Sequence, residues 1–317
     1  MNMNRELLSL VESVGIIVVM LLSLALMTLV ERKVMGVMQR RLGPDRVGWK
    51  GVLQPISDGL KLVVKENVVP AQASSEIYKI APVVTLVLSI LGWVVIPWNG
   101  VGIKGESEIS IMMILAISSV SVYGIILTGW GGNSKYALLG SVRTTAQMIS
   151  YEIVLSMVVL IVMVLVGEMP NLKRVVESQA VWNMWGLWPV AVIYLICALA
   201  ETARAPFDLP EAESELVAGY VVENSGLSFA YYFLAEYLNI IMMSAIMVLL
   251  FMGGWGNGGV IEGSVMYALK LGVILFMFVW VRASYPRYRY DQLMTVAWKS
   301  QLPLTIGIIL WVLGVVI

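Results

Sequence analysis

Residues 230–252 read AYYFLAEYLNIIMMSAIMVLLFM. The stretch holds one charged residue, Glu236, and is otherwise almost wholly apolar. At ~1.5 Å of rise per residue it is long enough for the ~30 Å hydrocarbon core of a bilayer. Only a helix bonds all of its own backbone groups there, so the segment reads as a transmembrane helix. Seven more apolar segments share its character, at about 11–30, 80–96, 109–127, 149–166, 187–200, 266–281 and 302–317. The first, sixth and last of the eight are the clearest. The short segment at 187–200 is preceded by Trp182, Trp185 and Trp188, the residues of an interfacial belt. The predicted fold is therefore all-α: one polytopic membrane domain over residues 1–317, with eight transmembrane helices.

Composition agrees with this reading. Hydrophobic residues make up 59% of the chain and charged residues 13%, about half the ~25% that a soluble domain needs to cover its surface. That excludes a soluble globular protein, a disordered tail and a nucleic-acid binder. The chain has no histidine and one cysteine, Cys197. Internal disulfides, axial-His haem, copper sites, the usual zinc sites and iron–sulfur clusters all need more His or Cys than that. Any electrons handled near this chain come from another subunit. Cys197, inside the apolar run AVIYLICALA, reads as an inert buried thiol. The first apolar run is long and leads straight into Glu31-Arg32-Lys33 with no small-residue cleavage site, so a signal peptide is not expected.

Eight spans put both termini on one side. The loops 31–79, 128–148, 201–229 and 282–301 carry 16 Lys and Arg, the opposite side carries 4, and Lys270 lies in a span. By the positive-inside rule the basic side faces the cytoplasm or mitochondrial matrix. The termini then face the periplasm or intermembrane space. No internal repeat is visible, which weakens an inverted-repeat transporter. Gly253–Gly259 (GGWGNGG) matches G-x-G-x-x-G, but it joins two spans rather than a strand and a helix, and reads as a turn.

The inner loops carry the chemistry. In the first, Leu53, Ile56, Leu60, Val63 and Val64 recur at helical spacing, with Gln54, Ser57, Asp58, Lys61 and Lys65 opposite. This is an amphipathic interfacial helix, either a surface element tucked under the bundle or a lid for a lipid-soluble ligand. The third loop, ETARAPFDLPEAESELVAGYVVE at 201–223, holds Glu201, Asp208, Glu211, Glu213, Glu215 and Glu223 around one base, Arg204. Pro206 and Pro210 keep a helix from running through its first half. Such a concentration of acid is tolerated when solvated, paired or partly protonated. Glu236 is expected about two turns into the sixth span and Glu152 about one turn into the fourth. A charge at mid-helix depth costs ~2.5–3.5 kcal/mol on insertion scales, so such groups face a cavity or a partner; Glu152 has the alternative of snorkelling. Without histidine, a proton relay here would use carboxylates, Tyr, Lys and water, along a row from the loop acids through Glu223 to Glu236 and Glu152. In the last loop Arg282, Arg287 and Arg289 alternate with Tyr285, Tyr288 and Tyr290. That pattern suits a phosphate surface, an acidic partner, the acidic loop itself, or interfacial anchoring.

Glu31–Lys33, Gln39–Pro44, Leu53–Glu66, ALAETARAPFDLPEAESELVAGY at 198–220, Ala235-Glu236-Tyr237 and RASYPRYRYDQLM at 282–294 closely resemble subunit 1 of respiratory complex I and its bacterial equivalent. The resemblance runs in order along nearly the whole chain. It implies eight transmembrane helices at the heel of the membrane arm of a proton-pumping NADH:ubiquinone oxidoreductase, next to the hydrophilic arm. It implies the membrane-facing part of the ubiquinone chamber and the start of the carboxylate line that couples quinone chemistry to pumping. Ubiquinone is then a substrate, and NADH, FMN and the iron–sulfur clusters belong to partner subunits. So do the Tyr and His that bind the quinone headgroup. The implied proton-transfer residues are Glu152, Glu201, Asp208, Glu211, Glu213, Glu215, Glu223 and Glu236, with Arg204 as counter-charge. Arg32, Asp58, Phe233, Arg282 and Arg287 would line the quinone channel. Partners are the other complex I subunits and membrane lipids, with no nucleic acid. The expected location is the mitochondrial inner membrane, or a bacterial plasma membrane. Two other classes fit some of the same residues: a stand-alone proton or cation transporter, and a membrane anchor such as the equivalent subunit of a membrane-bound hydrogenase.

Overall fold

The computed structural model describes residues 2–97, 108–167, 170–179, 181–209, 219–256 and 260–316. Among them the regular elements are helical: α1 (Asn2–Met38), α2 (Gln54–Val64), α3 (Ser75–Val95), α4 (Ser110–Gly131), α5 (Lys135–Val166), α6 (Leu172–Ser178), α7 (Asn183–Gly186), α8 (Trp188–Glu201), α9 (Gly226–Phe251), α10 (Val260–Ser284), α11 (Tyr290–Thr295) and α12 (Leu302–Val316). A π-helical turn, Val296–Gln301, joins the last two. Among the described residues six helical stretches are long and apolar enough to cross a membrane: α3, α4, α5, α9, Glu262–Ser284 and Tyr290–Gly314; α8 is a shorter apolar helix. The chain is an all-helical, polytopic membrane protein.

α9 is the axis of the bundle. Its apolar stretch is 78% buried, against 22–44% for the other long spans, and it packs on α1, α2, α3, α6, α8 and α10. Aromatic side chains carry polar edges that need a partner in an apolar interior. Here the partners are carbonyls of α9: Trp93 Nε1 donates to Leu238 O at 3.3 Å and the Tyr194 hydroxyl to Met243 O at 3.1 Å. Beyond its far end Lys270 Nζ donates to Met252 O (2.7 Å) and Gly254 O (2.9 Å), a cation on carbonyls at a helix C-terminus. Cys197 is fully buried.

The helices extend past the apolar segments, and α5 does so most. The stretch 128–148, expected as an inner loop, contains only a three-residue break, Gly132–Ser134, before α5 begins. Ser134 Oγ accepts the Ala137 N–H at 3.2 Å, a side-chain N-cap, and Gly167 closes the other end at φ 66°. Hydropathy misses the first four turns because Gly140, Ser141, Thr144, Thr145 and Gln147 are small or polar. They are nonetheless buried, against neighbouring helices rather than lipid. At Gly140 a Cβ would stand 2.8 Å from the Gly219 backbone. Gly140→Val is accordingly expected to unseat the Gly219–Val221 turn at a cost of ~1–3 kcal/mol, measured as a lower level of assembled complex.

α2 forms where the amphipathic pattern lies. Its apolar side, with Ile56, Leu60 and Val63 each at least half exposed, points away from this chain. At the predicted glycine turn, Gly253, Gly254 and Gly256 have φ of 67°, 48° and 70°; residues 257–259 lie outside the described residues.

Candidate functional site

Four parts of the chain meet at the inner end of the bundle: the end of α1, the segment after α8, the first half of α9 and the segment after α10. Pro206 and the turn after Glu201 break the helix, so the 202–209 segment folds back under α5. Gln147 holds it there, donating from one amide nitrogen to Ala200 O (2.7 Å) and Phe207 O (2.9 Å). Phe207 stacks on Tyr288 with ring centroids 5.7 Å apart, and Tyr288 N–H donates to Pro206 O at 3.0 Å. The Arg–Tyr loop thus packs on the acidic loop.

Arg204 is the centre of a buried charge cluster. Its Nε stands 2.8 Å from Glu236 Oε1, and its Nη1 3.5 Å from Glu31 Oε1. Arg282 also pairs with Glu31, the Tyr237 hydroxyl donates to Glu31 Oε2 at 2.5 Å, and the Tyr237 ring centroid lies 4.6 Å from Arg204 Cζ. Burial works to lower the Arg204 pKa, but Glu236 and then Glu31 outweigh it and hold the guanidinium above its ordinary value. The counter-charge expected for the acidic loop therefore serves α1 and α9. Asp208 has a different base, Arg287 Nη2 at 3.3 Å.

A cavity of about 940 Å³ opens beside this cluster. Its wall includes Glu201, Asp208, Phe233, Glu236 and Arg287, five of the predicted site residues, together with Asn239, Tyr232, Thr144 and Ser121. Acids and hydroxyls line one part, while Ile125, Met148, Phe229 and Phe233 supply apolar surface. The volume is that of a ligand site for a molecule with a large apolar body, ~300–1,000 Å³. Glu201, one residue past the fifth apolar segment, is buried and its Oε2 has no hydrogen-bond partner. Burial first, and Glu152 second, push its carboxyl up to about 8.

Glu152 sits elsewhere than expected. Because α5 starts at Lys135, Glu152 is about five turns into the helix rather than one. Snorkelling is thereby removed as its explanation. Its Oε1 accepts from Ser118 Oγ at 3.0 Å and Ser119 Oγ at 2.5 Å, both on α4. Arg32 and Asp58 form a pair of their own at 2.5 Å, joining α1 to α2 at the surface, with Gln54 Nε2 on the second Asp58 oxygen at 2.9 Å. Glu223 contributes its backbone: its carbonyl accepts from the Tyr78 hydroxyl at 2.7 Å, and it is not part of the cavity wall. Glu211, Glu213 and Glu215 lie outside the described residues.

Glu31, Tyr237, Gln147 and Ser118 were not singled out as site residues from the sequence. Glu31 had a usable signal, an acid directly after an apolar run, and Ser118-Ser119 is a hydroxyl pair inside a span. Gln147 had none. No group of three or more acids, His or Cys arranged to hold a metal ion occurs among the described residues.

The family model described as NADH dehydrogenase matches residues 11–313. The NADH-ubiquinone oxidoreductase chain 1 of Mycosarcoma maydis is 48% identical over 314 residues, covering 96% of this chain and 95% of its own. That of Arabidopsis thaliana is 46% identical, covering 96% of each. A bacterial relative, a membrane-arm counterpart from the NADH-quinone oxidoreductase of Rhodospirillum rubrum, is 46% identical over 309 residues, covering 95% of this chain and 90% of its own.

Proposed function

This chain belongs to the NADH dehydrogenase family, as a membrane subunit of NADH:quinone oxidoreductase, and from that premise we propose that its cavity admits the quinone and passes the charge change of quinone reduction to a row of buried acids. The observation that carries this reading is the shared wall: Phe233 and other apolar groups line the same 940 Å³ space as Glu201, Asp208 and Glu236. Apolar surface suits a lipid-soluble quinone, and the acids suit protons. The Arg32–Asp58 pair and α2, with its apolar side turned outward, form the approach from the bilayer. The electrons come from partner subunits, which hold NADH, FMN and the iron–sulfur clusters.

Reducing a quinone to a quinol takes two electrons and two protons. As negative charge arrives, groups nearby gain proton affinity. Asp208 and Glu236 are each held by a base, Arg287 and Arg204, so they set a fixed field and respond by changing partners. Glu201 has no such base in contact among the described residues and serves as the carboxyl that holds a proton. Glu152, deep in α5, is the next acid along the bundle. The chain crosses the membrane eight times in this reading, with its basic loops toward the matrix or cytoplasm and its termini opposite, in the mitochondrial inner membrane or its bacterial counterpart.

Glu236→Gln in the assembled complex tests the proposal. It removes the charge that faces Arg204 while keeping the side-chain shape. Quinone-linked NADH oxidation is expected to fall about tenfold, a modest loss beside the range for a single proton-handling group. NADH oxidation by an artificial acceptor such as ferricyanide is expected to stay intact. Wild-type quinone-linked turnover and pumping in this variant would refute the mechanism.

A further inference from the structure

Between the large cavity and Glu152 lies a second, narrow void of about 10 Å³. Glu201 forms part of its wall, with Ser89, Ser118, Ser121 and Asn239. That space is close to the ~10–15 Å³ that one water requires, and its polar lining supplies the partners a water needs. Of these residues it is Ser118 that reaches Glu152: its Oγ lies 3.0 Å from Glu152 Oε1 and 2.9 Å from Leu115 O. A hydroxyl has one hydrogen, so it cannot donate to both. It has two settings, one turned to the acid and one parked on its own helix.

A third void, about 20 Å³, starts on the other side of Ser118, toward the Ser110–Leu172 end of the bundle. Apart from Ser118 its wall is apolar, with Ile114, Leu155, Val159, Ile246 and Leu250 among the lining. Cavities of that character stay dry. Ser118 thus stands where a polar space ends and an apolar one begins, with Glu152 as its polar neighbour on the far side.

We infer that Ser118 is the hydroxyl relay between Glu201 and Glu152, and that its bond to Leu115 O is the setting in which the relay is open. The inference rests on the proton-linked reading of the acid row given above. The transfer is a chain of exchanges. A proton leaves the Glu201 carboxyl for a water in the void, that water passes a proton to Ser118 Oγ, and Ser118 gives its original hydrogen to the Glu152 carboxylate. Glu201 ends as the carboxylate and Glu152 as the acid, with serine and water unchanged. Rotation of the hydroxyl to Leu115 O then breaks the line until the next transfer.

The test uses the whole complex reconstituted in liposomes, measuring proton uptake per NADH oxidised alongside ferricyanide reduction. Ser118→Ala removes the hydroxyl with little change of volume. The expected result is about a tenfold loss of proton yield with ferricyanide reduction unchanged, and recovery of the yield in Ser118→Thr, which keeps the hydroxyl. A purely structural role predicts no such split between Ala and Thr, so equal loss in both overturns the relay. A wild-type yield in Ser118→Ala overturns it too. If that happens while Glu236→Gln is still impaired, the relay fails and the proton-linked reading of the cavity survives. If both variants pump normally, the reading fails with it.

Discussion

Arg204→Met is expected to deplete the assembled complex and abolish quinone-linked turnover in whatever remains. Arg204 is 6% exposed and Glu31 3%, so the cluster they share with Glu236 sits out of water. Deleting one partner of such a buried pair leaves the other charge uncompensated, at a cost of ~3–5 kcal/mol. Here two carboxylates lose a partner at once, although Glu31 keeps Arg282 and the Tyr237 hydroxyl. The uncompensated group is therefore mainly Glu236. That identifies the second variant to make. In the double variant Arg204→Met with Glu236→Gln, no bare carboxylate remains on α9, and assembly is expected to recover substantially. Turnover is expected to stay low, because the field facing the cavity is still missing. Blue-native gel quantification separates the first effect from quinone-linked NADH oxidation, which reads the second. If the single variant assembles and turns over normally, the cluster has no role in holding the site together.

The helical, membrane-spanning character was legible because apolar runs of span length leave few other structures open. Glu236 was legible for the same reason, as a lone charge in an apolar stretch. The identity of its partner was not. Arg204 lies 32 positions earlier, and the Glu31 it also meets is 173 positions before Arg204. No periodicity links residues that only the bundle brings together. Glu152 shows a second kind of blindness. Its depth was misjudged because the first turns of α5 bury small and polar side chains against other helices, and a hydropathy window registers lipid contact rather than burial. The joining of the two inner loops was foreseen only as one of several roles for the Arg–Tyr segment. The fold selects it through Arg287 with Asp208 and Phe207 on Tyr288. The resemblance supplied the list of acids. It did not divide them into Glu236 and Asp208, each held by a base, and Glu201, with none in contact among the described residues.

That division has a consequence in pH. Glu201 carries a carboxyl raised to about 8, chiefly by burial and then by Glu152. Below that pH it is the neutral acid and has a proton to give; as pH rises through about 8 it becomes the carboxylate and has none. Proton pumping by the wild-type complex is therefore expected to show an alkaline limb centred near 8, while NADH-to-ferricyanide electron transfer does not follow it. Glu201→Gln keeps the shape but has no proton to release. It is expected to pump about tenfold less at neutral pH, the scale of losing a proton-transfer group, and to lack that limb. Asp208 and Glu236 do not substitute, because each is engaged as half of an ion pair with a guanidinium. The check is the proton yield of both proteins in vesicles from pH 6 to 9, with ferricyanide reduction followed in parallel. An alkaline limb that persists unchanged in Glu201→Gln would mean that another group carries the proton. The role assigned to the cavity's unpaired acid would then be lost, even if the quinone binds where proposed.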